Sequence, residues 1–191
     1  MELHSLITAS RSFRSFDRSV RPSHELLLQL VDCARLSPSS INLQMLKYRL
    51  VEREEECAAL FPLTRWAGRI KDQRIPPEGH EPTAYILICA DNRVTPNAEK
   101  FQIDVGIVAQ SMMLAAREAG FGGCMIGSFS KAETAALLSL PEGLQPQLFL
   151  ALGKPDEEIT LLDADAEADV GYFRKDGRHY VPKRRREDLI L

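Results

Sequence analysis

Hydrophobic and polar positions along this chain switch repeatedly between two periods. Leu3 to Ala9 predicts a short first helix. Ser10-Arg11-Ser12-Phe13-Arg14-Ser15-Phe16 then mixes polar and aromatic residues, which predicts an extended segment. From Ser23 the period lengthens. Leu27, Leu30, Val31 and Ala34 recur at i, i+3, i+4 and i+7, so a helix capped by Ser23 runs to Leu36 with one face buried. Pro38 cannot continue it and biases Ser37 away from helical geometry. Residues 47–52 read as a strand, Glu54 to Leu60 as a short helix, and 62–82 as loop with some helix. Tyr85-Ile86-Leu87-Ile88-Cys89 is uninterrupted apolar sequence, as in a central strand.

The clearest helix spans 99–119. From Ile103 onward it is apolar or small nearly all round, so it must be buried on every side, and in a chain this short a second subunit is the candidate cover. Gly122 to Gly127 reads as a short strand ending in a turn. Ser130 and Glu133 have capping-box spacing for a helix through Leu138. Leu148 to Leu152 is another buried strand, stopped by Gly153 and Pro155. The tail differs: residues 156–169 carry seven acids and no base, 172–181 predicts a hairpin around Asp176-Gly177, and Lys183-Arg184-Arg185-Arg186 precedes an apolar end. No internal repeat is visible. The pattern is one of mixed α and β.

Bulk properties narrow the function classes. At 191 residues, 45% hydrophobic and 27% charged, the chain suits one soluble domain, 1–191. A net charge of −3 gives no overall attraction to nucleic acid. Met1-Glu2-Leu3-His4 does not read as a signal peptide, and no run approaches the ~18 apolar residues of a membrane helix, so a cytoplasmic protein without membrane contact is expected. Cys33, Cys57, Cys89 and Cys124 are widely spaced in apolar company and read as reduced core residues. Gly120-Phe121-Gly122-Gly123 follows a helix rather than a strand and lacks the dinucleotide spacing, so it reads as a helix C-cap. The four histidines are scattered, and no nucleophile elbow or Walker loop is present. An enzyme of this sequence borrows its chemistry from an organic cofactor.

Three polar groups remain. Arg11-Ser12-Phe13-Arg14 places Ser12 and Arg14 on one side of an extended segment and Arg11 on the other. Guanidinium and hydroxyl together suit a phosphate or a carbonyl-rich ring. The loop Pro38-Ser39-Ser40-Ile41-Asn42-Leu43-Gln44 carries hydroxyls and two carboxamides, a set that suits a planar heterocycle with donors and acceptors on its edge, such as a flavin. The third group is Lys183 with Arg184 and Arg185. Taken singly, each reads equally well as solvated surface, and the loop as a plain helix terminator.

The order of these motifs resembles the nitroreductase family of FMN-dependent oxidoreductases over nearly the whole length. Arg11-Ser12-Phe13-Arg14 matches its R-R-S-x-R signature, with Ser10 in place of the first arginine. Pro38 to Gln44 matches A-P-S-x-x-N-x-Q-P-W, with Met45-Leu46 in place of P-W. Asp104-Val105-Gly106, Gly122 to Ser128, Ala151-Leu152-Gly153-Lys154-Pro155 and Val181-Pro182-Lys183-Arg184 follow in the family order. The resemblance implies a three-layer α/β/α sandwich of the α+β class with a mixed sheet. It also implies an intertwined homodimer in which the tail, 156–191, crosses to the partner subunit. It implies FMN as cofactor and NAD(P)H as co-substrate, with ping-pong reduction of a small-molecule electron acceptor such as a nitroaromatic or quinone. FMN contacts are then expected from Arg11, Ser12, Arg14, Pro38, Ser39, Ser40, Asn42 and Gln44, from a backbone N–H of Gly127 or Ser128 near flavin N5, and from Lys183, Arg184 and Arg185 at the phosphate. The alternatives are another chemistry of the same fold (reductive dehalogenation or flavin fragmentation), a relative without turnover, and a non-enzymatic module that binds through its basic tail.

Overall fold

The computed structural model describes residues 2–71 and 73–191. In chain order the regular elements are α1 (Leu3–Ala9), β1 (Phe16–Asp17), α2 (His24–Leu36), β2 (Leu46–Val51), α3 (Glu54–Leu60), β3 (Ala84–Asp91), α4 (Gln102–Glu118), β4 (Gly122–Ile126), α5 (Lys131–Leu137), β5 (Leu144–Pro155), β6 (Ile159–Ala164), β7 (Phe173–Lys175) and β8 (Arg178–Arg184). Ser23 caps α2 as its sequence predicts, accepting from the Leu26 N–H at 3.2 Å. Ser130 makes no side-chain cap bond to α5, so the capping-box expectation fails there.

The central sheet is built on β3 and β5. All eight residues of β3 are buried, as its apolar run requires. β2 lies along one side of β3 and β5 along the other, with Ile86 opposite Leu150. β1 and β4 also pair with β5. These pairs are antiparallel; parallel pairing enters through a Ser12–Gly123 bridge and through β6 and β8 of a second, three-stranded sheet. Alternating side chains feed two cores. Ala84, Ile86, Ile88, Leu150 and Leu152 pack under α2 and α4. Tyr85, Leu87, Cys89, Phe149 and Ala151 pack against Cys57 and Leu60 of α3 and against Leu138 just after α5. Helices on both faces of a sheet make the three-layer α+β sandwich.

Two glycines explain where β4 sits. Gly120, just after the Ala119 C-cap of α4, takes φ +82°, and the Phe121 N–H returns to Ala116 O at 2.9 Å. At Gly123 a Cβ would meet the Ala151 carbonyl oxygen at 2.1 Å, so only glycine lets β4 approach β5 this closely. Three cysteines are buried and Cys33 half-buried, and none is in a disulfide. Burial pushes the Cys57 thiol up to about 11 and Cys89 to about 12, so neither is a nucleophile at neutral pH.

Within this single chain one stripe of α4 is uncovered: Ile103 is 77% exposed, Gly106 and Gln110 are exposed, and Ile107 and Leu114 are half-buried along it. Residues 173–175 and 178–184 form the predicted hairpin, turning at Asp176 and Gly177 with φ +50° and +75°, and β6 adds in parallel to β8. In this single chain the tail packs on its own body, because its acids find local cations. Glu157 accepts from the Arg14 backbone N–H and pairs with Arg174, while Asp169 pairs with Arg69 at 3.1 Å.

Candidate functional site

The tail sheet closes one side of a cavity of about 280 Å³, lined by Ser10, Arg11, Ser12 and Arg14 from the segment after α1, Gln110 and Met113 from α4, Met125 from β4, and Tyr172, His179, Val181 and Lys183 from the tail. Two termini of the sequence-predicted site, the arginine–serine segment and Lys183, therefore meet in space. Arg11 belongs to the cavity along with Ser12 and Arg14, so strict alternation fails here. The cause is a tight turn: the Phe13 N–H reaches back to Arg11 O at 3.0 Å as well as across to Gly123 O at 2.9 Å.

The cavity is cationic. Arg11, Arg14 and Lys183 line it, and among the described residues no carboxylate does. Arg11 spends Nη2 on Ile7 O at 2.6 Å, but its Nε is buried without a partner, and burial lowers the guanidinium from its ordinary value. A partly desolvated cation with an idle donor is a standing electrostatic cost that an anion removes. Arg14 is held from three sides: its Nη1 donates to Ser12 O at 3.1 Å, its Cζ lies 4.7 Å from the Tyr172 ring centroid, and its backbone N–H is gripped by Glu157. Burial raises the Glu157 carboxyl against the opposing pull of Arg14 and Arg174. Met113, Met125 and Val181 give the cavity an apolar part.

The other predicted residues lie elsewhere. Ser39 and Ser40 border α4, where Asp104, 1% exposed, accepts from Ser39 Oγ at 2.9 Å, Ser40 N at 3.0 Å and Ser40 Oγ at 2.5 Å. Their hydroxyl protons are spent on shaping the loop. That shape is strained: Ile41, Asn42 and Gln44 have φ of +46°, +55° and +51°, and Ile41 is 90% exposed. Pro38, Asn42 and Gln44 are exposed, with Gln44 Nε2 donating to Asn42 Oδ1 at 3.2 Å. Ser39 and Gln44 line a separate cavity of about 180 Å³ with Lys47, Tyr48 and Asp104. Gly127 and Ser128, exposed after β4, line neither cavity; Ser128 O accepts from Arg65 N at 2.9 Å.

The basic run divides. His179, Val181 and Lys183 alternate onto the cavity face of β8, which turns Arg184 away. Arg184 donates to Asp165 O and Arg185 pairs with Asp165 Oδ1 at 3.0 Å. Neither lines this cavity, where Lys183 alone of the three expected clamp residues is found. Gln110, Tyr172 and His179 were missed by sequence reasoning. For His179 the signal existed: it stands four residues before Lys183 in a predicted strand, on the same face.

Residues 7–154 match the model of the Nitroreductase family. The chain belongs to that family. YodC of Bacillus subtilis strain 168, provisionally named an NAD(P)H nitroreductase, is 23% identical over 178 residues, covering 78% of this chain and 87% of YodC. The structure of the NADPH:FMN oxidoreductase from Vibrio harveyi complexed with NAD+ is 26% identical and superposes with a TM-score of 0.63 over 81% of this chain and 69% of that one. An FMN-dependent nitroreductase from Clostridium difficile R20291 gives 0.66 at 22% identity, over 82% and 89% of the two chains. The likenesses below 25% identity establish the shared fold. The tail that supplies Tyr172, His179 and Lys183 lies beyond the family match.

Proposed function

We propose that this nitroreductase-family protein is an FMN-dependent oxidoreductase that passes reducing equivalents from NAD(P)H to a small-molecule acceptor such as a nitroaromatic or quinone. The observation that carries the proposal is the acid-free cavity with its buried, unpartnered Arg11 Nε. FMN fits this donor set: a dianionic phosphate for the cations, a polar chain for Ser10, Ser12 and Gln110, and a flat apolar ring for Met113, Met125 and Val181. When bound, FMN supplies the redox chemistry by accepting hydride at N5 and releasing it to the acceptor. Arg11, Arg14 and Lys183 neutralise the anion and fix its position. The methionines and Val181 exclude water from one side. The single cavity serves both reactants in turn, which gives ping-pong kinetics.

At about 280 Å³ the cavity is just under the ~300–1,000 Å³ usual for ligand sites, so one chain provides only part of the enclosure. The open stripe of α4 supports a homodimer that completes it, with the strained Ser39–Gln44 loop of the partner subunit as the missing wall. The basic tail gives little support to nucleic-acid binding, since Arg184 and Arg185 are already engaged by Asp165.

The test is a titration of purified protein with FMN, followed by anaerobic NADH and NADPH. Binding, followed by bleaching of the flavin bands, is expected. Lys183→Ala weakens FMN about tenfold, the worth of one charge-assisted contact, and leaves riboflavin, which has no phosphate, unchanged. Protein that stays colourless with excess FMN sinks the reading.

A further inference from the structure

His179 is a histidine with a defined proton and nowhere to put it. It is 1% exposed, yet it lines the cationic cavity. Its Nε2 lies 3.5 Å from Arg14 Nη1. A guanidinium can only donate, so Nε2 presents its lone pair and the ring proton of the neutral imidazole resides on Nδ1. Nδ1 is buried and has no partner. The ring is also held flat by Tyr172, stacked at 5.5 Å between centroids and 26° between planes. Two cations oppose a second proton, Arg14 from the segment before β1 and Arg174 from β7, while the Glu157 carboxylate accepts from the Arg14 backbone N–H and pairs with Arg174. Burial and these cations lower the imidazole to about 4, so it is neutral at physiological pH. A buried N–H left without an acceptor costs free energy that a well-packed site rarely tolerates unless a ligand repays it.

We infer that His179 is a ligand-binding residue of this cavity, its Nδ1–H reserved as a neutral donor to an acceptor oxygen or nitrogen of the bound flavin nucleotide. The inference rests on the FMN reading above and assigns a contact beyond the arginine, serine and lysine set. A neutral donor beside three cations has a specific use. It recognises an uncharged acceptor such as a ring carbonyl, ring nitrogen or ribityl oxygen without adding further positive charge. Arg14 orients the ring and fixes the tautomer, and Tyr172 sets its plane.

Asparagine places its amide N–H near the position of a histidine Nδ1–H, glutamine near that of Nε2, and phenylalanine keeps only the ring. FMN affinity of the full-length protein is read by quenching of flavin fluorescence. His179→Phe and His179→Gln are expected to weaken FMN about tenfold, the scale of one buried hydrogen bond, with His179→Asn recovering most of the loss. Riboflavin is expected to show the same ranking, because the contact does not involve the phosphate. In 15N-labelled wild-type protein, the His179 ring is expected to show a protonated Nδ1 whose signals shift when FMN is added. An Nε2-protonated ring, or signals unmoved by bound FMN, overturns the inference while leaving the flavin reading intact. Equal loss in all three variants with an unmoved ring signal does the same. Wild-type protein that binds no FMN overturns both.

Discussion

At the scale of single residues, the electrostatics of this site come from burial more than from charge pairing. His179 illustrates the sign. Its folded value, about 4, lies below the ordinary 6.5, so between those pH values the unfolded chain takes up a proton that the folded chain refuses. Stability of the ligand-free protein is therefore full above pH 6.5 and declines as pH falls toward 4. Urea denaturation across that window is expected to show the decline, and His179→Phe to flatten it. Arg11 reports the same imbalance from the cationic side: its idle Nε marks a place prepared for something the chain does not itself contain.

At the scale of elements, local pattern was a good guide and long-range convergence was not. α1, α3 and α2 with its Ser23 cap could be read from periodicity because the forces that make them act within a few residues. The Asp176-Gly177 hairpin was legible for the same reason. The cavity brings Arg14 beside His179 across more than a hundred positions, and no short-range pattern encodes that meeting. Strand alternation, rather than the composition of the basic run, is what separates Arg184 from Lys183. β4 offers a sharp test of element packing. Gly123→Ala drives a methyl into the Ala151 carbonyl, where the backbone cannot yield. The expected cost is about 3 kcal/mol, the upper range for overpacking, read as a lowered urea midpoint at unchanged m-value.

At the scale of the molecule, charge is arranged to cancel locally rather than on average. Four acids of the block after β5 pair with arginines, Glu157 with Arg174, Glu158 with Arg178, Asp165 with Arg185 and Asp169 with Arg69, and of the terminal basic run it is Lys183 that lines the cavity. The stripe of α4 that carries Ile103, Ile107 and Leu114 is left partly uncovered in the single chain. If it is the dimer face, Ile107→Glu places one unpaired carboxylate from each copy at the contact. Dimer dissociation should then strengthen at least a hundredfold, on the ~3 kcal/mol scale of a buried unpaired charge. Sedimentation velocity checks this, and FMN affinity should fall with it; a variant that sediments as wild type places the interface elsewhere.

The cavity draws one wall from the first turn after α1 and another from β8, with the whole sandwich between them in sequence. During synthesis the arginines therefore emerge long before the histidine and lysine that complete their surroundings. A nascent chain that has already assembled its central sheet still has no enclosed site, and it gains one only after residue 183 has left the ribosome. If this cavity holds the cofactor, a product terminated before residue 183 lacks one wall of the site and is expected not to retain it.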